Sequence, residues 1–121
     1  MPDLTLILIG GSILADFFVA VGPLAEQSLN EMYVDKALIS VTALNIDHGL
    51  TTPNQLGALT YRTMMRRARQ TIVLADHPKL GAIALHRIAP ITAIHTVITD
   101  AAAEPGAIEG LRSAGIEVFT V

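Results

Sequence analysis

A chain of 121 residues, 51% apolar and 16% charged, with no Cys and no Trp, forms one domain or part of one. Its apolar content excludes a disordered chain, its modest Gly and Pro content a fibrous one, and the lack of Cys excludes thiol catalysis, iron–sulfur ligation and disulfides. Eight Lys+Arg against eleven Asp+Glu give a formal net charge of −3, which argues against the chain holding a nucleic acid by itself, because that binding needs clustered cations.

Residues 4–21 are the most apolar stretch. They are broken by Gly10-Gly11-Ser12 and Asp16 and preceded by no basic residue, so they read as a buried strand and turn rather than a membrane span or signal peptide. The expectation is a soluble, cytoplasmic protein. Residues 4–9 (LTLILI) form a continuous apolar run of the kind found in parallel strands covered on both faces. Pro23 opens a helix with Ala25, Leu29 and Met32 on one face, and residues 37–41 (ALISV) form the next strand. Thr52-Pro53-Asn54-Gln55 has the form of a helix start, with Thr52 as N-cap. The predicted helix over 53–69 carries Tyr61, Met64, Met65 and Ala68 on one face and Arg62, Arg66 and Arg69 opposite.

Residues 71–75 (TIVLA) form a strand followed at once by Asp76-His77-Pro78-Lys79. Residues 82–88 read as a short strand or turn, and residues 95–99 (HTVIT) as another strand ending at Asp100. Pro105 starts a helix with Ile108 and Leu111 that Gly115 stops, and residues 116–121 close the chain as a strand. Strands alternating with helices predict an α/β fold, a mostly parallel open sheet flanked by helices, over a single domain 1–121. The chain starts directly in a core-type strand, so the domain reads as truncated at the amino end.

In such sheets ligands bind at the carboxyl ends of the strands. Four strand ends converge there in this reading: Gly10-Gly11-Ser12, Thr42 to Asn45, Asp76 to Lys79, and Thr99-Asp100. Lys79 offers a cation for a phosphate, and Thr42, Asn45 and Asp76 offer partners for sugar hydroxyls. The amino end of the 53–69 helix adds backbone N–H groups. Each feature has a plainer alternative: Gly10-Gly11 as a tight turn, Asp100 as a cap, Lys79 as a solvated lysine. Arg62, Arg66, Arg67 and Arg69 read as a polar helix face ahead of a nucleic-acid patch, and Tyr61, Met64 and Met65 as core. The four His, at 48, 77, 86 and 95, lack metal-ligand spacing, and no serine sits in a G-x-S-x-G elbow. The expectation is a small-molecule site with no metal, no cofactor and no catalytic machinery.

The order of short motifs carries a resemblance. Gly10-Gly11 after a strand, Val21-Gly22-Pro23-Leu24-Ala25, Val34-Asp35-Lys36-Ala37, Gly49-Leu50-Thr51-Thr52-Pro53-Asn54, Leu74-Ala75-Asp76-x-x-Lys79 and Ile98-Thr99-Asp100 resemble the carboxy-terminal sensor domain of DeoR-family transcriptional regulators over essentially the whole chain. The resemblance implies a fold related to ribose-5-phosphate isomerase, and to sugar-phosphate isomerases and CoA transferases generally. It implies a cytoplasmic repressor of sugar metabolism, a homo-oligomer, whose effector is a phosphorylated sugar. DNA contact would come only through a separate amino-terminal winged helix-turn-helix, which is absent here, as is the opening strand with its phosphate loop. The related isomerases carry acid/base carboxylates where this chain has Thr42-Ala43-Leu44-Asn45 and Leu59-Thr60-Tyr61-Arg62, and neither stretch contains one. The Asp76-x-x-Lys79 element is kept, so the resemblance implies a sensor, with ligand-binding residues Gly10, Gly11, Thr42, Asn45, Asp76 and Lys79. The sequence departs from the family at Ala43, where glycine is usual, and at Tyr61, where lysine is common. The competing readings are an isomerase-like enzyme remnant and a ligand-free dimerisation module.

Overall fold

The computed structural model describes residues 3–15 and 18–121, so Asp16, expected to interrupt the first apolar stretch, lies outside the described residues. Strands β1 (Ser12–Leu14) and β2 (Val19–Val21) form an antiparallel hairpin, which leads through Gly22 into α1 (Pro23–Asn30). Next come β3 (Val34–Ser40), β4 (Ala43–Asn45), β5 (Gly49–Thr52) and α2 (Gln55–Arg67). The chain continues through β6 (Ala68–Leu74), β7 (His86–Ala89), β8 (Thr96–Thr99), α3 (Pro105–Ser113) and β9 (Glu117–Thr120).

The order β3-β6-β8-β9, with every neighbouring pair parallel, is the expected open sheet. Its strands alternate rather than being buried on both faces. Ile39, Val73, Val97 and Val118 point into one core together with Leu44, Leu50 and Ile88, with Met64 and Met65 of α2, and with Leu111 of α3. On the other side of the pleat Leu38 is 57% exposed and Phe119 49%. Period-two alternation places residues two apart on the same face, so these apolar side chains share a face that the helices leave uncovered.

Three sequence expectations are corrected. Residues 4–9 do not form a buried strand: Leu6 is 86% exposed and Leu8 91%. A strand exists by pairing its backbone groups, and among the described residues no sheet edge takes up this run, so apolar composition alone leaves it unstructured. Thr52 is not the helix cap. The residue before a proline is driven toward extended backbone, so Thr52 remains the last residue of β5, and Asn54 caps α2 by accepting a 3.0 Å hydrogen bond from the Gly57 N–H.

Arg69 does not share a helix face with Arg62 and Arg66, because α2 stops at Arg67 and β6 begins without a loop. Arg67 marks this junction. Its Nε donates to the Met32 carbonyl at 2.9 Å and its guanidinium lies 4.1 Å from the Tyr33 ring centre, tying the helix end to the start of β3. Arg62 is likewise structural, donating to the Ile88 carbonyl at 2.9 Å and the Arg87 carbonyl at 2.7 Å and so fastening α2 to β7.

The second sheet, antiparallel in the order β4-β5-β7, was not foreseen. Its centre depends on Gly49, whose φ of +78° puts it in the region that favours glycine, pressed against Ala89 and Pro90. This sheet carries the chain out from the end of β3 and back to Thr52, and so sets α2 down with its amino end toward the rim of the parallel sheet.

Candidate functional site

At the carboxyl end of β3 lies a cleft of about 310 Å³, walled by Leu14 and Val19 of the hairpin, by Ser40 to Thr42, by Thr52, and by Asn54, Gly57 and Tyr61 of α2. Lys79 closes it. Each wall has a local cause. Ser40 to Thr42 follow the last core residue of β3, Ile39, so the chain leaves the sheet and exposes Thr42 at the rim. Asn54, Gly57 and Tyr61 stand at i, i+3 and i+7 and therefore share one stripe of α2. Lys79 ends a 3₁₀ turn, His77–Lys79, which Pro78 favours by fixing its own φ and which reverses the chain after β6.

A second, shallower depression of about 330 Å³ adjoins the first, sharing Ser40 and Lys79 with it, and adds Asp76, Thr99, Asp100 and Val121. The Lys79 Nζ stands 3.2 Å from Asp76 Oδ1, with both side chains substantially exposed. His77 is clamped on Asp100: its backbone N–H donates to Oδ1 at 2.6 Å and its Nδ1 lies 2.8 Å from Oδ2. A carboxylate only accepts, which fixes the proton on Nδ1. Partial desolvation pushes the Asp100 carboxyl up, but hydrogen bonds from the His77 backbone and ring, from its own N–H and from the Ala102 N–H outweigh this and hold it below its ordinary 3.8.

A carboxyl lowered by folding adds stability above its unfolded value and loses it as pH falls through the folded value. The Asp100→Asn variant should therefore melt below the wild type at neutral pH, with the gap closing as the pH falls below about 3.8. A gap that stayed constant down to pH 2 would show that the Asp100 charge contributes nothing.

Of the residues singled out in the sequence, the structure brings Thr42 and Lys79 into the cleft and Asp76 to its edge. Asn45 is placed elsewhere. Its Nδ2 donates to the Gly81 carbonyl at 3.2 Å, and its Oδ1 accepts from the Asp47 and His48 N–H groups at 2.9 and 3.0 Å, so the side chain is spent on closing the β4–β5 turn. Gly10 is exposed, with nothing within 4 Å of where a Cβ would stand. Gly11, at φ +145°, packs against the hairpin, where a Cβ would meet the Val21 carbonyl oxygen at 2.7 Å. Neither glycine lines the cleft.

Ser40, Thr52, Asn54 and Tyr61 line the cleft without having been singled out for it. Tyr61 does two things at once, packing on the core and presenting its ring to the cleft. Burial pushes its hydroxyl above the ordinary 10.0, so it is a neutral phenol at physiological pH.

Chemically, the described residues of the cleft offer one ammonium, several hydroxyl groups, the Asn54 amide, and the amino end of a 13-residue helix. Among the described residues no carboxylate lines it. Among the described residues no cluster of His, Asp and Glu is placed to hold a metal ion, and no helix is long and apolar enough to cross a membrane.

Residues 1–101 match the family described as the DeoR C terminal sensor domain. The chain is similar to the HTH-type transcriptional repressor GlcR of Bacillus subtilis, with 31% identity over 112 residues, covering 93% of this chain and 43% of that protein. It is similar to the HTH-type transcriptional regulator GlpR of Haloferax volcanii, with 32% identity over 111 residues, covering 92% and 44%. Its likeness to the uncharacterised HTH-type transcriptional regulator YulB of Bacillus subtilis is 30% over 119 residues, covering 98% and 46%. The chain thus spans less than half the length of the curated relatives it matches.

Proposed function

Because the chain belongs to the DeoR C-terminal sensor-domain family, a family of transcriptional regulators rather than enzymes, we propose that it senses a phosphorylated sugar in the cleft at the end of β3. The observation that carries this reading is the lining of the cleft: one ammonium, Lys79, among hydroxyl and amide groups, with no carboxylate among the described residues. An ammonium beside a helix amino end suits a phosphate, and neutral hydroxyls and amides suit a polyol. Proton abstraction from a sugar carbon needs a positioned base, which this lining does not offer.

Binding would hold the hairpin wall, Leu14 and Val19, against the α2 wall, Gly57 and Tyr61. Such a ligand shifts the population toward the conformation in which both walls meet it. In a regulator that reaches DNA through an amino-terminal domain, that shift would alter assembly and so the spacing of the DNA-binding units.

Self-association belongs to the same reading. The uncovered sheet face with Leu38 and Phe119 is a candidate contact, since contiguous exposed apolar surface marks interaction sites. Sedimentation velocity on the chain should find a homo-oligomer, and a monomer at tens of micromolar would contradict it. The sensing claim is tested by thermal unfolding against sugar phosphates beside their unphosphorylated parents. The midpoint should rise with a phosphorylated sugar only, and a rise with the parent alone would overturn the reading.

A further inference from the structure

We infer that the cleft takes a sugar carrying a single phosphate and discriminates against bisphosphates, with Tyr61 as the residue that sets this specificity. The inference rests on the sensor reading above and narrows its ligand class.

Among the described residues Lys79 is the only charged one lining the cleft, and Asp76 stands 3.2 Å from its Nζ, so part of that positive charge is already matched. A phosphate monoester carries about −1.5 to −2 at pH 7, so one phosphate uses up Lys79 and the partial positive charge at the amino end of α2, about +0.5. A second phosphate entering the same cleft would leave water with no cation to receive it, and an unpaired buried anion is strongly disfavoured.

The shape agrees. Asn54, Gly57 and Tyr61 line the cleft along about 10 Å of α2, and about 310 Å³ lies at the small end of ligand pockets. Tyr61 is the largest polar side chain on that wall. Its neutral hydroxyl can exchange hydrogen bonds with a sugar hydroxyl but cannot balance a second phosphate. A cation in its place would remove the discrimination.

The test is calorimetric titration of the whole chain with fructose 6-phosphate against fructose 1,6-bisphosphate, and ribose 5-phosphate against ribulose 1,5-bisphosphate, in the wild type, Tyr61→Phe and Tyr61→Lys. The wild type should bind at least one monophosphate about tenfold or more tighter than its bisphosphate, the ratio expected when one charge-assisted hydrogen bond is missing. Tyr61→Phe should keep that order and Tyr61→Lys should erase or reverse it. Bisphosphate binding equal to or tighter than monophosphate binding in the wild type, both lost in Lys79→Ala, would overturn this inference and leave the sensor reading standing. Absence of binding by every phosphorylated sugar would overturn both. The wild-type comparison decides the matter even if Tyr61→Lys fails to fold.

Discussion

Replacing Lys79 by Ala should weaken phosphorylated-sugar binding by about ten- to a hundredfold while leaving the unliganded domain nearly as stable as before. The first half follows from the lining of the cleft, where Lys79 is the only cation among the described residues. A hydrogen bond between charged partners contributes about 1.5–3 kcal/mol, and none of the cleft's hydroxyl or amide groups can replace the lost charge. The second half follows from the exposure of the Lys79–Asp76 pair. Exposed ion pairs contribute about 0–1 kcal/mol, so their loss barely moves the melting midpoint. In thermal unfolding, a ligand at a hundred times its dissociation constant should stabilise the wild type by about 2.7 kcal/mol. At the same concentration the variant should show a much smaller shift. Equal shifts in the two proteins would remove Lys79 from the site.

Gly49→Ala should be the most damaging conservative change in the fold, costing about 3–5 kcal/mol through the combined penalties of forced backbone and overpacking. Gly49 is buried at φ +78°, a conformation that already penalises a side chain. A Cβ there would also press into the carbonyl of Ala89 and stand 2.9 Å from Pro90 Cα. Those neighbours are backbone and cannot rotate away, so the β5–β7 pairing must open. Because β5 delivers Thr52 and the start of α2 to the cleft, lost stability should come with lost ligand response. The midpoint should fall by about 10–20 °C in a domain of this size. A Gly49→Ala protein melting within about 2 °C of the wild type would show that the hairpin can relax around the methyl group.

How far the sequence discloses this molecule depends on the kind of signal. The parallel sheet was legible because Ile39, Val73 and Val97 sit in short apolar runs bounded by turn and helix signals, and such runs have few alternatives. Residues 4–9 carry the same composition and fail as a strand, because a strand is a property of a pair and composition is a property of one segment. The antiparallel sheet went unread since β4 and β5 are only three and four residues long, too short to display a period.

At the site, Lys79 and Thr42 were legible from their places just after strands, where an α/β sheet presents its ligand groups. Asn45 shares that position but is used up by its own turn, a short-range competition for which asparagine is well suited. Tyr61 was missed as a cleft residue because its spacing with Met64 and Met65 matches a core stripe. A stripe on a helix can face the core with one edge and open space with the other, and only the placement of Thr42 and Lys79 opposite reveals it.

The regulatory ligand is proposed to sit at the carboxyl rim, between the hairpin, the end of β3 and the first turns of α2. Amide chemical-shift mapping of the whole chain during titration with fructose 6-phosphate and ribose 5-phosphate tests it most directly. With a ligand that binds, the largest perturbations should fall on Ser40, Thr42, Gly57, Tyr61 and Lys79, with Tyr33 and Arg69 at the opposite end of the sheet unmoved. Perturbations centred on Tyr33 and Arg69, or a spectrum unchanged at saturating concentrations of both sugars, would contradict it.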